Sequence, residues 1–179
     1  MAAAKPAGKR HHWGVNILFV CTGNQCRSPF AEAFTNALGL PGISASSAGI
    51  LDLPGKPVPP EMQRAAEPYG IDLTPHRARF AEGVDPADFD LLIGFEHSHA
   101  AYLVVERNAP MERTFLFGEL VLLAGEENFS LDPDTLTAMR RSGGAFVPQL
   151  QVPDPIGGPQ RGYEAAAATI ATGLNHILS

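Results

Sequence analysis

The chain has little of what marks a membrane, secreted or nucleic-acid-binding protein. Of its 179 residues only two are cysteine and one is tryptophan, and charged residues make up 18%. No apolar run approaches the length that spans a bilayer, and residues 1–14 lack the hydrophobic stretch of a signal peptide, so the expected location is the cytoplasm. Acidic residues outnumber basic ones, 19 to 13, for a net charge of -6. That balance excludes a broad basic surface for nucleic acid or anionic lipid and confines positive potential to a local site. Cys21 and Cys26 are too close in sequence to staple a fold, and both fall in one polar loop, which points to chemistry instead. The length suits one domain with its own core, expected over residues 14–179 behind a mobile tail at 1–13.

What is present is the stretch Cys21-Thr22-Gly23-Asn24-Gln25-Cys26-Arg27-Ser28. The apolar run Ile17-Leu18-Phe19-Val20 before it reads as a buried strand, and Phe30, Phe34 and Leu38 after it recur at helical spacing. Pro29 suits the first turn of that helix and Gly39 its end. In a strand, loop and helix of this kind, the loop N–H groups and the first helical turn converge on one concavity that attracts an anion. Cys21, at its base, lies where aligned N–H dipoles and the Arg27 guanidinium favour negative charge on sulfur, which makes it a nucleophile. Arg27 adds a planar fork that can hold two oxygens of a tetrahedral phosphate. Ser28 can donate to the sulfur or to a phosphate oxygen, and Asn24 tolerates the left-handed backbone that tight anion cups use.

The rest of the chain alternates between strand and helix signals. Further strands are expected at 43–47, 90–95 and 114–117. Helices are expected from Pro60 to a stop at Gly70, with Met62, Ala65, Ala66 and Tyr69 inward, over 98–107 with Ser98 as N-cap, and over 163–178. Shorter helices fit 119–124 and 133–141, followed by an extended loop through Gly143, Gly144 and Pro148. The alternation predicts an α/β fold: a three-layer α/β/α domain on a four-stranded parallel sheet, with the anion loop at the carboxyl end of the first strand. Phosphate-ester cleavage by a thiolate also needs the departing oxygen protonated. Asp154-Pro155, before Ile156-Gly157-Gly158-Pro159, offers a carboxyl on a stiff, turning loop, although the same composition also makes a plain turn. His97-Ser98-His99 has no cysteine or acidic cluster at ligand spacing, so no metal site is expected there.

Val20 to Pro29, continuing into Ala31-Glu32-Ala33, resembles the active-site signature of the low-molecular-weight protein tyrosine phosphatases, whose relatives include a class of arsenate reductases. Ser47-Ala48-Gly49 and Asp154-Pro155 fit the same family, while residues 125–152 match poorly. The resemblance implies a phosphatase that hydrolyses phosphotyrosine, on a protein or as a small aryl phosphate, through a cysteinyl-phosphate. Cys21 would be the nucleophile, Arg27 the phosphoryl clamp and Asp154 the general acid, acting afterwards as base toward water. Thr22, Gly23, Asn24, Gln25, Cys26 and Ser28 would line the phosphate, and Ser47 would hold Asn24 in place. No cofactor or metal is implied, since N–H groups and Arg27 supply the charge stabilisation. Cys26 either lines the loop or traps an oxidised Cys21 as a disulfide. His76 matches a family histidine that pairs with an acid, here Glu96.

Two rivals remain at this level. An arsenate reductase would have to borrow an external small thiol, because the chain has no cysteine after Cys26. A non-catalytic phosphate-binding module would need neither nucleophile nor acid. The walls above the phosphate also depart from the family pattern, with Gln25, Leu53, Ile156 and Gly157 where aliphatic or aromatic residues are common. Thin walls weaken ground-state and transition-state binding alike, so they act on KM more than on the chemical step.

Overall fold

The computed structural model of the chain describes residues 14–143 and 151–179. The expected N-terminal tail and the expected loop from Gly144 through Pro148 lie outside the described residues. The element order is β1 (Val15–Cys21), α1 (Arg27–Ala37), β2 (Ile43–Gly49), α2 (Pro60–Ala66), β3 (Leu91–Gly94), α3 (His97–Ala101), β4 (Thr114–Leu116), α4 (Phe117–Leu123), α5 (Pro133–Gly143) and α6 (Gln160–Ile177). The four strands form one parallel sheet in the order β2-β1-β3-β4.

β1 lies between two neighbours, which is why its residues from Ile17 to Cys21 are apolar without alternation: both faces are buried. Ile17, Phe19 and Cys21 join Phe30, Met62, Ile170 and Leu174 in the larger core, under α1, α2 and α6. Leu18 and Val20 face the other way, toward Leu92, Leu103 and Ala109. Helices therefore cover both faces, and the strand order reverses at β1, the point where open α/β sheets bind ligands. The register brings the strand ends level there, with Cys21 beside Gly49 and Val20 beside Gly94. Both glycines are needed for close approach. A Cβ on Gly49 would stand 2.8 Å from the Asn24 nitrogen, and one on Gly94 would stand 2.9 Å from the His99 Cβ. Neither position leaves room for a side chain.

Besides shifts of one to three residues at the ends of β2, α4 and α6, three helices depart from their sequence expectation. α2 ends at Ala66 and tightens into a 3-10 turn over Glu67–Tyr69, because Pro68 has no N–H to continue the helix. Tyr69 is consequently 36% exposed instead of inward, with its ring edge-on to Phe30 at 5.4 Å. The helix after β3 starts one residue earlier, its N-cap is Glu96 and not Ser98, and it widens into a π-helical turn over Tyr102–Glu106. α1 begins at Arg27, so Arg27 and Ser28 belong to its first turn.

Candidate active site

The loop from β1 to α1 closes into a cup because its carbonyls are tied outward. The carbonyls of Cys21 and Thr22 accept the Ile50 and Leu51 N–H groups at 3.0 and 2.9 Å, and that of Asn24 accepts from His76 Nε2 at 3.0 Å. In a planar trans peptide the next N–H points the opposite way, so those of Thr22, Gly23 and Gln25 turn inward. Asn24 is the pivot, with a left-handed backbone at φ 52° and no exposure. Its side-chain oxygen accepts the Arg79 N–H at 2.8 Å, which fixes the amide the other way round toward two hydroxyls. Asn24 Nδ2 donates to Ser47 Oγ at 2.8 Å and to Ser28 Oγ at 2.9 Å. Ser47 donates to Glu32, and Arg79 holds the Ser47 carbonyl with Nε and Nη2.

The chain of hydrogen bonds reaches Cys21. Ser28 Oγ, already accepting from Asn24, lies 2.9 Å from Cys21 Sγ and 3.4 Å from the Ala48 carbonyl. Cys21 is 2% exposed at the base of the cup. Cys26 is buried too, and burial pushes its thiol far up, so it stays protonated. Both sulfurs are free thiols.

Arg27 is fully buried, with both of its Nη nitrogens engaged. Nη1 donates to Glu96 and to the Val152 carbonyl, the latter at 2.8 Å. Nη2 bonds Thr22 Oγ1 at 3.2 Å and the Asp154 carboxylate at 2.7 Å. Among the described residues its buried Nε–H has no acceptor. The Nε–H is therefore the guanidinium donor left open to a phosphoryl oxygen, and a two-point grip on the Nε–Nη2 edge requires Nη2 to exchange one of its two partners for a second oxygen. Asp154 reaches the site on a braced loop: Val152 N–H bonds the Phe95 carbonyl, Ile156 N–H bonds Asp154 Oδ1, and Gly157 N–H bonds the Tyr163 hydroxyl. Gly157, at φ 74°, makes the turn.

The walls of the cup are short. Gln25 donates to the Pro57 carbonyl at 2.8 Å, and Gln25 and Leu53 converge over Gly23, while Ile156 is half exposed. The expected pairing of His76 with Glu96 does not form. Glu96 is taken by Arg27, and His76, pushed down by burial, donates to Asn24. Glu32, Arg79 and His99 reach the loop through partners that sequence reasoning did not name, and Glu96 reaches it through Arg27 and not through the His76 expected for it. Among the described residues, no group of three or more His, Cys, Asp or Glu is arranged to hold a metal, and no helix is long and apolar enough to cross a membrane.

Residues 16–140 match the family described as low molecular weight phosphotyrosine protein phosphatase. The chain belongs to that family. It is therefore a hydrolase of the low molecular weight protein-tyrosine-phosphatase family. A probable low molecular weight protein-tyrosine-phosphatase, EpsP of Ralstonia solanacearum, is 33% identical over 147 residues, 75% of this chain and 95% of the relative. A protein-arginine-phosphatase of Geobacillus stearothermophilus is 27% identical over 163 residues, 90% of this chain and 92% of that one. Among solved structures, the low molecular weight protein tyrosine phosphatase from T. tengcongensis superposes with a TM-score of 0.70 at 29% identity, covering 92% of this chain and 98% of its own. Asp154 lies beyond the matched stretch, and its place at the site comes from the geometry alone.

His99 links the site to pH. It is fully buried, and burial, reinforced by the Arg27 charge, holds its ring neutral with a pKa pushed down to about 3. An unfolded histidine titrates near 6.5, so between these values the unfolded chain binds more protons and the fold loses stability as pH falls. His76, also pushed down, adds in the same direction. Urea unfolding at pH 7 and pH 5 is expected to differ by about 2 kcal/mol, less in His99→Asn. Equal stabilities at the two pH values would show that the buried ring takes up its proton freely.

Proposed function

We propose that the protein hydrolyses phosphotyrosine, or another aryl phosphate monoester, through a cysteinyl-phosphate. Cys21 Sγ attacks phosphorus from the base of the cup, Arg27 and the inward N–H groups hold the equatorial oxygens, and Asp154 protonates the departing oxygen. Asp154 then accepts a proton from the water that cleaves the S–P bond, and the free thiolate is restored. Ser28 donates to the sulfur as leaving group in that second step. The observation that carries the reading is that Arg27, at the end of the loop that Cys21 opens, places its Nη2 2.7 Å from Asp154. Phosphoryl clamp and proton donor thus meet at one place.

A second substrate is favoured by a separate observation. Two carboxylates, Glu96 and Asp154, stand partly exposed at the mouth, at 29% and 32%, beneath walls that include a glutamine. Such a rim accommodates a cationic leaving group, and one relative is named a protein-arginine-phosphatase. The test is phosphate release, with chelator present, from a phosphotyrosine peptide, a phosphoarginine peptide and p-nitrophenyl phosphate. A phosphotyrosine peptide turned over with the higher kcat/KM supports the first reading. Preference for phosphoarginine moves the substrate to the second, and arsenite formation from arsenate plus a thiol without phosphate release overturns both.

A further inference from the structure

His99 lies in the first turn of α3, directly against the end of β3, and no part of it is exposed. Its Nδ1 accepts the Glu96 backbone N–H at 3.0 Å. A backbone N–H can only donate, so the hydrogen of the neutral ring is on Nε2. Nε2 is 3.1 Å from Thr22 Oγ1, which therefore accepts. The same oxygen accepts from Arg27 Nη2 at 3.2 Å. A hydroxyl oxygen has two lone pairs, and both are now engaged. Thr22 can meet a further group only by donating its own hydrogen. It does so beside Asp154, because Thr22 and Asp154 share the same arginine nitrogen. The neutrality of the buried ring keeps this direction fixed across the working pH range.

We propose that His99 is a positioning residue that orients the Thr22 hydroxyl as a second donor to the leaving-group oxygen. The inference rests on the aryl phosphatase reading. As the S–P bond forms and the P–O bond breaks, the electron pair of the broken bond passes to the leaving oxygen. Asp154 transfers its proton there, and Thr22 contributes a hydrogen bond to the developing charge while keeping its proton. Because the charge is largest with basic leaving groups, the contribution is largest for them. Without the Nε2–H, the hydroxyl is free to rotate and the donor is no longer held in place.

Two pairs of variants separate this role from plain packing. His99→Asn retains an acceptor near the Glu96 N–H but cannot reach Thr22, whereas His99→Gln restores a terminal N–H. Thr22→Val removes the hydroxyl at similar volume, and Thr22→Ser keeps it. kcat is measured with phenyl phosphate and with p-nitrophenyl phosphate. His99→Asn and Thr22→Val are each expected to lose roughly three- to tenfold more with phenyl phosphate, the worth of one hydrogen bond, with KM little changed. The double variant is expected to be no slower than Thr22→Val, and Gln and Ser to recover most of the loss. Equal losses on both substrates, or losses that multiply in the double variant, would reduce His99 to a packing role. A 15N spectrum of the unsubstituted protein gives a readout independent of any variant's folding, and a protonated Nδ1 there overturns the proposal. Failure of the parent enzyme to cleave either ester ends the aryl phosphatase reading, whereas turnover with His99 variants blind to the leaving group ends only this inference.

Discussion

Changing Cys21 to serine is expected to stop phosphate release, with kcat falling by a factor on the order of 10^4 or more, while phosphate or vanadate still binds. The reason lies in the neighbours of the sulfur. Its side-chain hydrogen-bond partner is Ser28, an alcohol, which is not basic enough to take the proton from a second hydroxyl. A serine at the base of the cup would remain an alcohol without a base. The inward N–H groups and the Arg27 fork are untouched by the change, so the anion site survives. Phosphate release and vanadate affinity, measured on the same preparation, check both halves. Sustained turnover in Cys21→Ser would remove the covalent mechanism, and lost vanadate binding would show that the sulfur also shapes the cup.

Asp154→Asn is expected to cost a factor of roughly 10^2 to 10^3 in kcat with a poor leaving group such as phenoxide, and far less with p-nitrophenolate, which departs without much help. Arg27 Nη2 and the Ile156 N–H bond different oxygens of Asp154, and the amide has only one oxygen, so the variant keeps one of the two contacts. The Val152 and Gly157 bonds that brace the loop are untouched, and the larger part of the loss is expected to be chemical. A ladder of substituted phenyl phosphates gives the slope of rate against leaving-group basicity. A steeper slope in the variant fits loss of a proton donor, and parallel slopes would reject that role for Asp154.

The sheet and the cup were legible because their signals are local. An unbroken apolar strand, a polar glycine-containing loop and a helix carrying Phe30 and Phe34 follow one another within β1 and α1, and each is a short-range consequence of side-chain chemistry. What the sequence withheld is long-range pairing. Glu96 looked like a partner for His76, but Arg27 is the stronger claimant on a carboxylate, and the histidine bonds an amide oxygen. Arg79 reads only as a basic residue of a loop, and its bonds to Asn24 and Ser47 come from distant parts of the chain. Glu32 is legible only as part of the run that continues the signature, yet it terminates the hydroxyl chain from Ser47. Tyr69 was misplaced for a different reason: helical periodicity was carried through Pro68, which cannot sustain it.

The bond from Arg27 to the Val152 carbonyl joins positions 125 residues apart. During synthesis from the amino end, β1, α1 and β2 leave the ribosome long before the loop that bears Asp154. The cup's own loop is thus made early, but His76 and Arg79, which hold Asn24, and Glu96 and Val152, which hold Arg27, come later. Tyr163 and α6, which brace the Asp154 loop, come last, so the pocket takes its shape only when nearly the whole chain has been made.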